Sequence, residues 1–295
     1  MTRSLASVLA VALTGSLAPA LMIAMKAPAQ RALTADAVVV GKVTAIEKET
    51  VEATPFPGAP NKLQYKIAVV QVETALAGAN NITHIKVGFI PLPAAAAPQP
   101  APGLVRPPIR RGNLLPELKE GQEFVFFLSK HHDANFYVMP NMSPPLEAKA
   151  EETKKELESL KKVLAIVGDP AKALKADKAD DRAFAATVMA TKYRSYPEAG
   201  GEIDQTPIAA EESKLILKGL AEADWTKLDR APNSMQAFYS LGLTDKDGWV
   251  APKPVPVQPG QPPVNYNQVT KDAFAKWLEG PGKDYRIKRI VPKKK

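Results

Sequence analysis

Two adjacent prolines, Pro144 and Pro145, separate a stretch whose apolar residues recur every second position from one where they recur every third or fourth. A chain that changes period this way builds sheet first and helix afterwards. Residues 37–46 are valine-rich, with Gly41 inside. Residues 63–75 alternate through Leu63, Tyr65, Ile67 and Val69, then shift phase to Val70 and Val72, which predicts a bulge or sharp bend. Ile85, Val87 and Phe89 alternate in a third strand. Residues 123–130 put Phe124, Phe126 and Leu128 on one face and Val125 and Phe127 on the other, the pattern of a central strand buried on both sides. A fifth strand, 135–139, follows a short turn at His131-His132-Asp133-Ala134.

Beyond the prolines the spacing is helical. Leu146, Ala150, Thr153, Leu157, Leu160, Leu164 and Val167 make one apolar seam, closed by Gly168 and Pro170. Further helices are expected at 180–193, from Thr206-Pro207 to about Ala223, at 233–241 and at 269–279. Two proline-rich segments interrupt the pattern: 91–118 with eight prolines and 251–263 with six. Such composition is stiff and extended, and 91–118 is a candidate docking loop for a protein partner.

The expected fold class is therefore α+β, with a five-stranded β-barrel followed by an all-helical region. The expected division is 1–29 signal peptide, 30–145 β-barrel domain with insertion 91–118, 146–282 helical domain with loop 251–263, and 283–295 basic tail. Three pieces carry a resemblance: 35–43 (ADAVVVGKV), 70–78 (VQVETALAG) and 118–128 (LKEGQEFVFFL). Their order is strand, strand ending in leucine and glycine, then a glycine turn into an aromatic strand. This N-terminal half resembles netrin/TIMP-like OB-type barrels of secreted bacterial proteins, which implies a small closed barrel. TIMP inhibitors act through an N-terminal cysteine on a protease zinc. This chain has no cysteine, so no functional residue carries over.

The N-terminus predicts export. Arg3 is followed by an almost wholly apolar or small run over 5–24, and Ala27-Pro28-Ala29 is a small-x-small triplet. Cleavage after Ala29 would leave Gln30 first, and Ala18-Pro19-Ala20 is an earlier candidate. An uncleaved anchor is the other reading, since the run can just span a bilayer. The mature chain is expected to be periplasmic or secreted. Without cysteine it has no disulfide, thiolate zinc site, thiol nucleophile or lipidated cysteine, so its fold depends on its core alone.

Charge is concentrated. The net charge of +8 falls to +6 when Arg3 and Lys26 leave with the signal segment. Lys283, Arg286, Lys288, Arg289, Lys293, Lys294 and Lys295 against Asp284 alone account for all of that. A cationic tail of this kind fits an anionic envelope polymer or membrane surface. Nucleic acid is not an expected partner, because export and a neutral remainder disfavour it. Tyr285, Ile287, Ile290 and Val291, interleaved with these cations, also allow an edge strand.

Chemistry-bearing motifs are few. His131, His132 and Asp133 offer a weak surface metal site or, more simply, a polar turn, and His84 belongs on an exposed strand face. Asp245-Lys246-Asp247-Gly248 is similar to part of a calcium loop. However, an EF-hand frame would need ligands at Leu243 and Pro254, so a tight turn is expected. Ser159 and Lys162 match S-x-x-K on the polar side of a helix, with no partner motifs downstream. No catalytic residue, metal or cofactor is assigned. The expectation is an exported, non-enzymatic binding or envelope-structural protein. The alternative is an envelope hydrolase or carbohydrate-active enzyme, using carboxylates in a cleft between the halves with Trp225 or Trp249.

Overall fold

The computed structural model describes residues 26–91, 115–140, 143–227, 231–253 and 264–293. The apolar run 5–24, most of both proline-rich segments, Lys294 and Lys295 lie outside the described residues.

Helix α1 (Pro28–Thr34) leads into β1 (Ala37–Ala53), β2 (Leu63–Ala77), β3 (His84–Phe89), β4 (Glu123–Lys130), β5 (Tyr137–Val138) and β6 (Leu146–Glu147). Then come α2 (Glu151–Gly168), α3 (Pro170–Ala173), α4 (Ala179–Arg194), β7 (Ile203–Pro207), α5 (Ala210–Glu222) and α6 (Ser234–Ser240). A 3-10 turn (Asp245–Asp247), α7 (Tyr266–Glu279) and β8 (Lys288–Pro292) follow. Among the described residues no helix is long and apolar enough to cross a membrane.

This corrects the expected α+β plan of a five-stranded netrin-like barrel followed only by helices. The structure is a mixed α/β fold with a six-stranded mixed sheet, order β1-β2-β3-β5-β4-β6, and helices interspersed with strands. Three long-range pairings make the difference. Strand β5 runs parallel to β3, with Val87 opposite Tyr137. Strand β6 adds Leu146 opposite Val125, where a helix start was expected. Strand β7 pairs with β8, Asp204 opposite Val291, so the second half is not all-helical. Thr206-Pro207 accordingly sits in a strand, and α5 begins only at Ala210, with Glu211 and Glu212 in its first turn.

Several local expectations match. In β2, Tyr65 and Ile67 are buried, then Ala68 and Val70, so the expected phase shift is present but falls two residues earlier, between Ile67 and Ala68. Opposite it, β1 fits Thr44 between Val43, which faces Val70, and Ala45, which faces Val69. Strand β4 is buried at six consecutive positions, Phe124 to Ser129. Its odd-numbered Val125 and Phe127 pack with Val38 and Leu160 of α2, while Phe126 and Leu128 join Val39, Val70 and Val87 on the other face. Helix α2 serves both halves: Leu160 faces the sheet, and Val163 and Ile166 face the helical core.

That helical core centres on α4, which is buried continuously from Ala183 to Ala190. The aromatic rings close it. Phe238 lies 4.8 Å from Trp225 and 4.9 Å from Phe274, and Phe274 stacks on Trp277 at 5.7 Å. Two of the three buried indoles donate within the fold: Trp225 Nε1 to Leu220 O and Trp277 Nε1 to Asp247 O.

The β2–β3 turn rests on Gly78. Its φ is +69°, and a Cβ there would lie 1.8 Å from Asp36 O. Gly78→Ala is expected to cost at least about 2 kcal/mol in urea unfolding, because strain and a backbone clash act together. A loss within experimental error would show that the turn does not close against β1 in this way.

Candidate functional site

The turn after β4 is built by backbone bonds. His131 N–H donates to Phe136 O (3.0 Å), and Phe136 N–H to Ala134 O (3.0 Å). Four aromatic rings gather there. The His131 ring stacks on His132 (4.6 Å, 27°), lies 4.7 Å from Phe136 and meets Tyr65 edge-on at 5.6 Å. Gly88 of β3 leaves room for this cluster, because a Cβ there would sit 2.4 Å from the Phe136 ring. The side chain of His131 is 1% exposed as a result.

His131 Nδ1 lies 2.8 Å from Asp133 Oδ1. The Asp133 backbone N–H donates to the same Nδ1 at 3.4 Å. Thr54, just past the end of β1, ties the turn down: its hydroxyl donates to Asp133 Oδ2 (2.8 Å) and meets His132 Nε2 at 2.9 Å. Burial first, and the neighbouring His132 second, push the His131 pKa down, against the opposing pull of Asp133 and of a backbone hydrogen bond with Thr54. The bond from Thr54 holds the Asp133 carboxyl below its usual range.

Ligand atoms of His131, His132 and Asp133 lie within 4.8 Å of one another. The ring geometry nevertheless opposes a shared ion. Imidazole lone pairs lie in the ring plane, and two stacked planes 27° apart do not meet within about 2 Å of both nitrogens. One ring would have to rotate, breaking the stack. The triplet is a hydrogen-bonded polar turn that orients His131.

Beside this turn is a pocket of about 410 Å³ between the β1–β2 connection, β3, the 129–132 strand end and residues 198–199. Its wall is largely apolar, including Leu63, Phe89, Leu115, Val138 and Met139. Two buried polar atoms belong to wall residues and have no hydrogen-bond partner among the described residues: Ser129 Oγ and His131 Nε2. Each costs about 1–3 kcal/mol while unpaired. Among the described residues the one carboxylate in the wall, Glu198, is bound by Lys26 and the Thr34 hydroxyl. Trp225 and Trp249 are buried in the helical core and line no part of it. Sequence spacing placed His131 on a hairpin tip; nothing in it showed that Tyr65 and Phe136 would enclose the ring.

The basic segment is largely built into the fold. Ile287 and Ile290 are buried. Arg286 donates to Ile208 O (2.8 Å), Arg289 covers the Tyr193 ring at 5.7 Å, Lys288 lies 3.8 Å from Asp247 and Lys293 pairs with Glu202 at 2.7 Å. Lys283 lines a groove of about 720 Å³ between α5 and α7, whose rim carries both signs of charge. His84 is exposed on β3, Ser159 and Lys162 are exposed on α2, and Asp245–Asp247 is a capped turn ending at Gly248 in the left-handed region.

Ala29, the expected cleavage residue, lies in the first turn of α1 and is 3% exposed. It packs with Leu33 into the helical core. The neighbouring Arg31 is buried against Phe127 and donates to Lys26 O (2.7 Å) and Pro144 O (2.6 Å).

No protein-family model matches this chain, and no curated protein and no solved structure matches it either.

His131 makes stability depend on pH. Its folded pKa lies below the unfolded value near 6.5, so the native state binds fewer protons there. The stabilisation is present above about pH 6.5 and is lost as pH falls from there through the folded pKa. Thermal melts at pH 7.5 and 5.0 should show a drop in Tm for the wild type and a clearly smaller one for His131→Phe. Equal drops would remove His131 as the cause. Exposed carboxylates titrate mainly below this window.

Proposed function

We propose that this is an exported, non-enzymatic binding protein whose ligand sits in the pocket beside the 131–133 turn. One observation carries the binding reading: a largely apolar concavity of about 410 Å³ whose wall also includes Lys130 and His132. Sites for small molecules have this composition, an apolar body with a few placed polar groups. The carboxylate-hydrolase alternative has less support. It needs two free acidic groups flanking a bond, and among the described residues this pocket supplies Glu198 alone, already engaged by Lys26 and Thr34.

Export rests on the apolar run 5–24 and the small-residue triplets that follow Arg3. The surroundings of α1 bear on where cleavage falls. A cut after Ala29 would remove a buried residue, the Lys26–Glu198 ion pair and the carbonyl that Arg31 bonds. A cut after Ala20 leaves all three. The earlier triplet is therefore the better processing site in this reading.

Binding to anionic polymer through the tail has less support, because Arg286, Lys288, Arg289 and Lys293 already have intramolecular partners. Removing 283–295 would also remove β8, so charge substitutions at Lys293, Lys294 and Lys295 are the cleaner probe of that surface.

The export reading is tested by expressing the full chain in a bacterial host and fractionating it. The protein should appear outside the cytoplasm with Leu21 at its N-terminus, and deletion of residues 5–24 should retain it inside. A cytoplasmic, uncut product from the full chain would sink export. A mature N-terminus at Gln30 would sink only the earlier site.

A further inference from the structure

We propose that the groove between α5 and α7 docks an amphipathic helix of another protein, one whose flank presents charges in the order cation, anion, anion, cation. The groove shares no lining residue with the pocket beside the 131–133 turn, so this proposal stands or falls apart from the binding reading above.

Small side chains open the groove. Ala210 and Ala221 of α5 and Ala275 of α7 line its volume of about 720 Å³. Leu217 is buried at its base, and Ala221, Leu278 and Tyr285 are half-buried against the helical core. Ala210, Leu217 and Ala221 follow one another at helical spacing, so they share one face of α5.

A stripe of charge runs beside this apolar face. Glu211, Lys214, Lys218 and Glu222 recur every three or four residues along α5, and all four line the groove. At the helical rise per residue they extend over about 16 Å. That length and that repeat select the occupant. A compact ligand cannot reach along the whole rim. An acyl chain is long enough but carries no charge along its length, so it would take water from the rim groups without replacing it. A helix laid in the groove repeats at the same interval and sets an apolar residue on the floor and a charge at the rim in every turn.

The order of signs then fixes the charge of that helix. Glu222 is held by Arg182 at 3.1 Å and by Lys218 at 3.9 Å. Glu211 and Lys214 form no ion pair among the described residues, nor do Glu279, Lys283 and Asp284 from α7 and the segment after it. The α5 rim reads anion, cation, cation, anion, so the complementary flank reads the reverse in every sign. A second copy of α5 does not offer it. Its order is symmetric, and in the register that aligns all four positions like charges meet in either direction.

The test is fluorescence anisotropy of the full chain with two labelled, alanine-rich peptides of about 15 residues, long enough to be helical in the groove. Both have leucines on one face. Beside them one carries Lys, Glu, Glu, Lys at one-turn intervals, and the other carries Glu, Lys, Lys, Glu in the same places. The compositions are identical, and each order reads the same from both ends. The Lys-Glu-Glu-Lys peptide is expected to bind about fivefold tighter at low salt, with the preference shrinking at high salt. Lys214→Glu combined with Lys218→Glu, at two exposed positions, should erase the preference. Lys154→Glu combined with Lys155→Glu makes the same change in net charge on α2, outside the groove, and should leave it intact. The wild-type pair of titrations decides the matter if the first variant does not fold. Equal binding of the two peptides, or tighter binding of the other order, overturns the proposal. So does a preference that survives in the folded Lys214/Lys218 variant, or no binding by either peptide. A dimer that neither peptide disperses would give the groove to a second copy and overturn it as well.

Discussion

Strand β1 must satisfy hydrogen-bonding neighbours along both of its edges, and most of the sheet is arranged around that demand. Its first residues pair with β4, Ala37 opposite Leu128 through Lys42 opposite Glu123, while the same residues pair with β2 on the other side. Where its register against β2 shifts, between Val40 and Gly41, the β2 backbone comes too close for an ordinary side chain. Gly41 occupies that place: a Cβ there would stand 2.7 Å from Gln71 O and from the Val70 side chain. The same double pairing sends Val38 to one face and Val39 to the other, so two separate apolar clusters must each find a cover. Helix α2 covers one of them and, with its adjoining face, joins the helical core. The sheet and the helices are therefore coupled through α2 and through α1, whose Ala32 joins the sheet-side cluster while Ala29 and Leu33 join the helical core.

Much of the local structure could be read from the chain. The phase shift in β2, the two-faced burial of β4 and the Phe274–Trp277 face of α7 follow from periodicity, which is set by each segment alone. What could not be read was pairing between distant segments. Nothing in residues 203–207 reports that residues 288–292 will lie alongside them, and a Thr-Pro pair is as good a helix start as a strand end when judged locally. Strand β5 lies inside the expected 135–139, but its parallel pairing with β3 was not legible, and β6 is two residues, too short for alternation to show. The netrin-like resemblance rested on strand order and glycines, and these do not specify which strand becomes whose neighbour.

The candidate site was visible only in part. His131, His132 and Asp133 stand out in a chain with three histidines, but spacing treats them as equals. The fold separates them: His131 is enclosed by Tyr65 and Phe136, which come from other positions in the chain, while Asp133 remains at the surface. The same holds for charge. Counting placed the whole excess in the last 13 residues, yet the fold gives four of those seven cations internal partners, so a local surplus became mainly a set of structural contacts.

The β7–β8 pair also constrains the order in which the molecule can be completed. Ile287 is fully buried in the helical core, and Ser213 of α5 binds both its backbone N–H and the Tyr285 carbonyl. Residues 203–213 thus lack their neighbours until the chain has been made past residue 290. During synthesis the helical core remains unsealed over that interval, while the sheet can close earlier from segments nearer the N-terminus.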